Sequence, residues 1–109
     1  MVEQSISGHN LDNIFKALAD ETRRDILRRV AAASLSISDL AESYKMSFAA
    51  IAKHVGVLER AQLIIKKRSG KQQIITAAPK TIEIAAEHLA RYEQLWDARF
   101  SALEDLVTK

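Results

Sequence analysis

Apolar residues recur at helical spacing along most of the chain and change to strand character in one stretch. Leu11, Ile14, Phe15 and Leu18 share one face of a helix expected over Leu11–Ala19, with Asn10 in the capping position. Asp20 is placed to cap a second helix, opened by Thr22, Arg23 and Arg24, with Ile26, Leu27 and Val30 as its stripe. The small residues Ala31–Ser34 end it. A short third helix, with Ser38 as candidate N-cap, carries Leu40, Ala41 and Tyr44. After a tight connection at Lys45-Met46, Ser47 caps a fourth helix running to about Arg60, with Ile51, Val55 and Leu58 at i, i+4 and i+7.

The period then shifts. Leu63–Arg68 and Gln72–Ala77 are rich in isoleucine and read as two strands joined by a two-residue turn at Ser69-Gly70. Pro79 stops the second strand, and Thr81 begins a last helix towards Thr108. Ile82, Ala85, Leu89, Tyr92, Trp96, Phe100, Leu103 and Leu106 follow one another at steps of three and four, close to a heptad seam. A small domain cannot cover so long a ridge, so a second copy of the chain is the expected cover. Trp96 and Tyr92 read as interface core rather than as a ligand pocket.

Two short helices joined by a three- or four-residue turn form a helix-turn-helix, and the helix from Ser47 takes the recognition position. Followed by a hairpin and a long helix, the order is that of a winged helix-turn-helix. The expected fold is mainly α with a small β-hairpin. Its organisation is a mobile arm over residues 1–9, the winged domain over 10–80, and a dimerisation helix over 81–109 packed on the same domain.

Composition agrees with this reading. The chain has 109 residues, enough for one domain, and only 6% aromatic residues, one proline and three glycines, which argues against a β-sandwich or barrel. Zero cysteines remove disulfides, thiolate metal sites and cysteine nucleophiles. No apolar run approaches the roughly 20 residues of a membrane span. The first residues have neither the basic start nor the apolar core of a signal peptide. The expected location is cytoplasmic, with no membrane partner.

Charge changes the picture more. The net charge is +2, yet residues 45–72 carry seven basic side chains against the single acidic Glu59. That concentration suits a polyanion-binding face; the alternative is a solvated basic loop. Enzyme chemistry has no foothold: no glycine-rich phosphate loop, no G-x-S-x-G and no H-E-x-x-H is present, and His9, His54 and His88 fall in different elements. No cofactor is expected.

The stretch IFKALADETRRDILRRV, followed by ISDLAESYKMSFAAIAKHVGVLERAQLI, resembles the ArsR-type winged-helix transcriptional repressors. The resemblance is strong over roughly Leu11–Ala77 and looser in the last helix. It implies a homodimer on double-stranded DNA, and leaves room for a small-molecule effector that the sequence does not identify. Metal-sensing members carry a Cys-x-Cys pair where this chain has Ser36 and Ser38, and serine hydroxyls are poor ligands for soft metals. His88, with Glu83, Glu87 and Glu93 nearby, reads as a solvated residue rather than a metal site. The family's usual glycine after VLE.A is Gln62 here, which implies a strained or differently shaped helix end. Gly56 either permits close approach to DNA or is a tolerated surface position.

Geometry divides the recognition helix. With Ile51, Val55 and Leu58 inward, Phe48, Ala49, Ala50, Lys53 and His54 face out. Ser47 can donate to a phosphate, cap the helix, or both. Lys53 suits a guanine edge or a phosphate. His54 suits a phosphate or base, or is a solvated or capping histidine. Phe48 reaches a thymine methyl or packs back on the third helix. Lys66, Lys67, Arg68 and Lys71 surround the hairpin tip, with Gln72 beside them, and suit backbone or minor-groove contact. At most one of Arg23 and Arg24 is expected near the DNA backbone. The expected dimer interface contains Leu11, Ile14, Leu89, Tyr92, Trp96 and Leu103. Alternatives to a DNA-binding repressor are a winged helix serving protein interaction or RNA binding, and a metal-responsive repressor with an unrecognised site.

Overall fold

The computed structural model describes residues 8–108. The order is α1 (Gly8–Leu18), α2 (Glu21–Ala32), β1 (Leu35–Ser36), α3 (Ile37–Tyr44), α4 (Phe48–Arg60), β2 (Ile64–Ser69), β3 (Gln72–Ala77) and α5 (Pro79–Thr108). The three strands form one antiparallel sheet in the order β1-β3-β2. The mainly α winged fold is present, with one strand more than the hairpin.

Local capping explains most helix starts. Asp20 accepts from the Arg23 N–H at 3.0 Å and opens α2, and Ser47 Oγ accepts from the Ala50 N–H at 3.0 Å and opens α4. α3 starts one position before the expected cap, because Ser36 caps it in place of Ser38. Ser36 and Asp39 form a capping box, in which Ser36 Oγ accepts from the Asp39 N–H at 3.0 Å. The residue three positions after Ser38 is Ala41, which cannot reciprocate. Pairing of Ser36 with Ile74 in β3 also holds the preceding backbone extended.

Other boundaries move for similar reasons. Gly8 and His9 belong to α1, not to an arm, and Asn10 lies within the helix instead of capping it. An interior asparagine costs only some tenths of a kcal/mol, so the apolar face overrides it. The rest of the expected arm, residues 1–7, lies outside the described residues. The hairpin turn is Gly70-Lys71, one position later than expected, because Ser69 pairs with Gln72. Gly70 has φ +64°, which suits glycine at the first central position of such a turn. α5 begins at Pro79, whose fixed φ fits a first helical position.

Gln62 takes the left-handed conformation itself, with φ +63°. The Leu63 N–H donates to Leu58 O at 3.0 Å and the Gln62 N–H to Glu59 O at 2.9 Å, closing α4 in the manner usual for glycine. Thr81 Oγ1 donates to Gln62 O at 2.6 Å and fastens this corner to α5. The helix end therefore keeps its ordinary shape, and the Cβ of Gln62 bears roughly 1–2 kcal/mol of conformational cost.

Ile14, Ile26, Leu40, Ile51, Val55, Leu58, Leu63 and Ile75 are fully buried, so the core lies where α1 to α4 meet the sheet. Ile14 is thus a residue of this chain's own core, contrary to its expected place in a dimer interface: α1 turns it against α2 and α4, and Phe15 is left on the outer face, 38% exposed. Only the first turns of α5 are anchored, by Thr81 and Ala85. From residue 91 to residue 107 every position is exposed. The radius of gyration is 18.1 Å, where a compact chain of this length has about 13 Å; the projecting helix accounts for the difference. Among the described residues no helix is long and apolar enough to cross a membrane.

Candidate nucleic-acid interface

α4 buries Ile51, Val55 and Leu58 and turns its other face out. Ser47, Phe48, Ala49 and Lys53 are exposed, and Ala50 is half-buried. Phe48 is 53% exposed, so it does not serve as a staple against α3. Ser47 Oγ spends a lone pair on the helix cap, and its O–H hydrogen stays available to an outside acceptor.

His54 differs from Lys53. Its ring is half-buried, with Nδ1 3.3 Å from Arg23 Nη1 and 3.9 Å from Asp20 Oδ2. Arg23 also donates through Nε to Ala17 O at 2.8 Å and through Nη2 to Lys16 O at 3.0 Å. Arg24 Nη1 donates to Leu18 O at 2.8 Å. Both arginines therefore donate to carbonyls at the end of α1, where Lys16 O also accepts from the Ala19 N–H at 3.2 Å. Sequence reasoning missed this role; the nearest signal was their place one short turn after an expected helix end. The Arg23 backbone N–H does most to hold the Asp20 carboxyl below its ordinary value; burial is the next-largest effect and opposes it, and the Arg23 charge adds a smaller lowering contribution.

A second polar cluster ties α2 to α3. The Tyr44 hydroxyl donates to Asp25, which also pairs with Arg28. These two hydrogen bonds, Tyr44's first, hold the Asp25 carboxyl below its ordinary value, and burial followed by the Asp25 bond pushes the Tyr44 hydroxyl up. Arg29 lies over the Tyr44 ring, 5.2 Å from its centroid, and donates to Ser43 Oγ at 3.0 Å. This geometry fixes the first helix of the helix-turn-helix against α2.

The wing cations are not equivalent. Lys66 Nζ lies 3.4 Å from Glu59 Oε1 on α4. Arg68 Nε donates to Gly70 O at 3.1 Å and braces the turn. Among the described residues Lys53, Lys67 and Lys71 have no ion-pair partner, and all three are exposed, as is Gln72. The exposed start of α4 and the wing thus carry uncompensated positive charge, the condition for binding phosphates.

The seam on α5 is open. Leu89, Tyr92, Trp96 and Leu103 are each more than half exposed, and Trp96 stacks on Phe100 with centroids 5.7 Å apart. Leu11 is half-buried against the core. Ser36, at the first position of the metal sensors' Cys-x-Cys, is buried and spends its hydroxyl on capping α3; Ser38 is exposed.

Residues 18–66 match the helix-turn-helix domain family. The chain is 31% identical over 96 residues to the HTH-type transcriptional regulator Rv2034 of Mycobacterium tuberculosis, covering 88% of this chain and 87% of that one. It is 34% identical over 61 residues to the transcriptional repressor SdpR of Bacillus subtilis, covering 56% of this chain and 68% of that one. Among solved structures it is similar to an ArsR-like transcriptional regulator from Rhodococcus sp. RHA1. That likeness has a TM-score of 0.76 at 33% identity and covers 90% of this chain and 92% of that one.

Proposed function

This chain belongs to the ArsR-type family of winged helix-turn-helix transcriptional regulators, and from that premise we propose that it is a homodimeric, sequence-specific repressor. Its α4 enters the major groove of double-stranded DNA with Ser47, Phe48, Ala50 and Lys53 towards the bases and adjoining phosphates. Lys67, Arg68, Lys71 and Gln72 on the wing meet the backbone or minor groove. The observation that carries this reading is the exposed, unpaired Lys53 on the same basic segment as the unpaired Lys67 and Lys71.

The exposed α5 seam supports a second copy as its cover, which would present two recognition helices to half-sites about one helical turn, or roughly 34–36 Å, apart. The likeness to a protein named as a repressor supports repression over activation. The acting compartment is the cytoplasm.

The test is selection of genomic fragments on the purified protein, followed by gel shift of the recovered duplex with and without excess nonspecific DNA. A recovered duplex that survives the excess is the expected result. Equal loss on all duplexes, or a preference for RNA, overturns the reading.

A further inference from the structure

Arg23 makes contacts to three elements at once. Its backbone N–H completes the Asp20 cap of α2 at 3.0 Å, and its Nε and Nη2 hold Ala17 O and Lys16 O at the end of α1. Its third edge, Nη1, lies 3.3 Å from His54 Nδ1 on α4. A guanidinium only donates, so a hydrogen bond across this contact has Nδ1 as its acceptor and leaves the ring hydrogen on Nε2. The contact therefore sets the tautomer and plane of a ring adjacent in sequence to Lys53. Asp20 Oδ2 lies 3.9 Å from the same nitrogen.

The buried stripe Ile51–Val55–Leu58 fixes how close α4 comes to the core. The stripe also sets which face of α4 turns inward, and because apolar packing is non-directional, a directional polar contact at the flank adds the finer constraint on the helix's rotation. We propose that Arg23 is a positioning residue for DNA reading: through His54 it sets the angle at which the first turns of α4 stand to α1. His54 is then an anchor for the recognition helix, and Lys53 the reader it aligns. This rests on α4 being the recognition helix. Lysine cannot replace Arg23, because an ammonium lacks the planar fork that reaches three partners in fixed directions.

The test compares Arg23→Lys, His54→Ala, the double variant and His54→Asn as full-length protein, on the duplex recovered by genomic selection and on a random duplex. Asn places an amide oxygen near the position of Nδ1, so it keeps an acceptor for Arg23. Arg23→Lys and His54→Ala should each reduce the preference for the recovered duplex about tenfold, the size of one hydrogen bond to a charged group. The double variant should lose no more than either single one, and His54→Asn should return to within threefold of the parent.

Hydrogen exchange without DNA supplies a second readout. The amides of the last turn of α1 should exchange faster in His54→Ala and recover in His54→Asn. Additive losses in the double variant, parent-like binding by His54→Ala, or no rescue by asparagine overturns the proposal. If Arg23→Lys does not fold, the two His54 variants decide it. If the parent prefers no duplex, the functional reading fails, and the exchange comparison alone decides the coupling.

Discussion

Lys66 on the first wing strand and Glu59 on the recognition helix form an ion pair at 3.4 Å. Glu59 is the only acidic residue between positions 45 and 72, and it is spent on one of the four hairpin cations. Exposed pairs are worth at most about 1 kcal/mol, so the link contributes little stability. Its effect is to set the wing cations apart from one another.

Lys67→Ala and Lys71→Ala should therefore weaken binding to operator and random DNA by similar factors. Each should make the slope of log K against log salt shallower by about 0.9. Lys66→Ala should change that slope much less. Fluorescence-anisotropy titrations at several salt concentrations measure all three. Parent-like slopes in the Lys67 and Lys71 variants would make the basic segment a solvated loop.

Lys53→Ala should act on preference instead. If Lys53 meets a guanine edge with two hydrogen bonds, the variant loses ~1–3 kcal/mol of discrimination between operator and random DNA. An equal loss on both duplexes assigns Lys53 to a phosphate.

Trp96 is 60% exposed within the chain, so Trp96→Glu leaves the core of the domain intact. At a dimer seam it would bury an unpaired charge at a cost of several kcal/mol. Light scattering should show a folded monomer. A well-folded Trp96→Glu dimer means that the seam lies elsewhere.

A Cβ at Gly56 would meet Arg60 Nη1 at 3.5 Å, an ordinary contact with the end of a flexible side chain. Gly56→Ala should then stabilise the fold by up to ~1 kcal/mol and raise Tm by a few degrees. DNA affinity should not change. A stabilised protein with weakened operator binding would show that Gly56 admits DNA closely.

The Asp20 carboxyl is held below its ordinary value, chiefly by the Arg23 N–H. Its folded value is lower than its unfolded one, so its contribution is complete above about pH 4–5 and is lost as pH falls through the folded value. Asp20→Asn keeps a good N-cap and removes the titration. Urea unfolding at pH 7, 5, 4 and 3 should show the parent losing its advantage over Asp20→Asn only in the acid range. Parallel profiles throughout would refute the assignment.

Much of the fold is legible in the order of residues. Asp20 and Ser47 precede their helices, and a side-chain cap needs only a backbone N–H three positions away. The stripes Ile26–Val30 and Ile51–Val55–Leu58, the isoleucine-rich strands and the long α5 seam follow from periodicity. The concentration of charge between residues 45 and 72 is likewise a property of sequence alone.

Tertiary structure decided what adjacent residues cannot. Ser36 and Ser38 are both good caps, and the choice fell to Ser36, which pairs with Ile74 on a strand formed much later in the chain. Ile14 and Phe15 both looked apolar, and packing against α2 and α4 buried the first and left the second outside. Arg23, Arg24, His54 and Lys66 are long or polar side chains whose partners lie on other elements. A cap or a period is set within a few residues of backbone, whereas the partner of a guanidinium or an ammonium is set by which elements the core brings within about 3 Å of it.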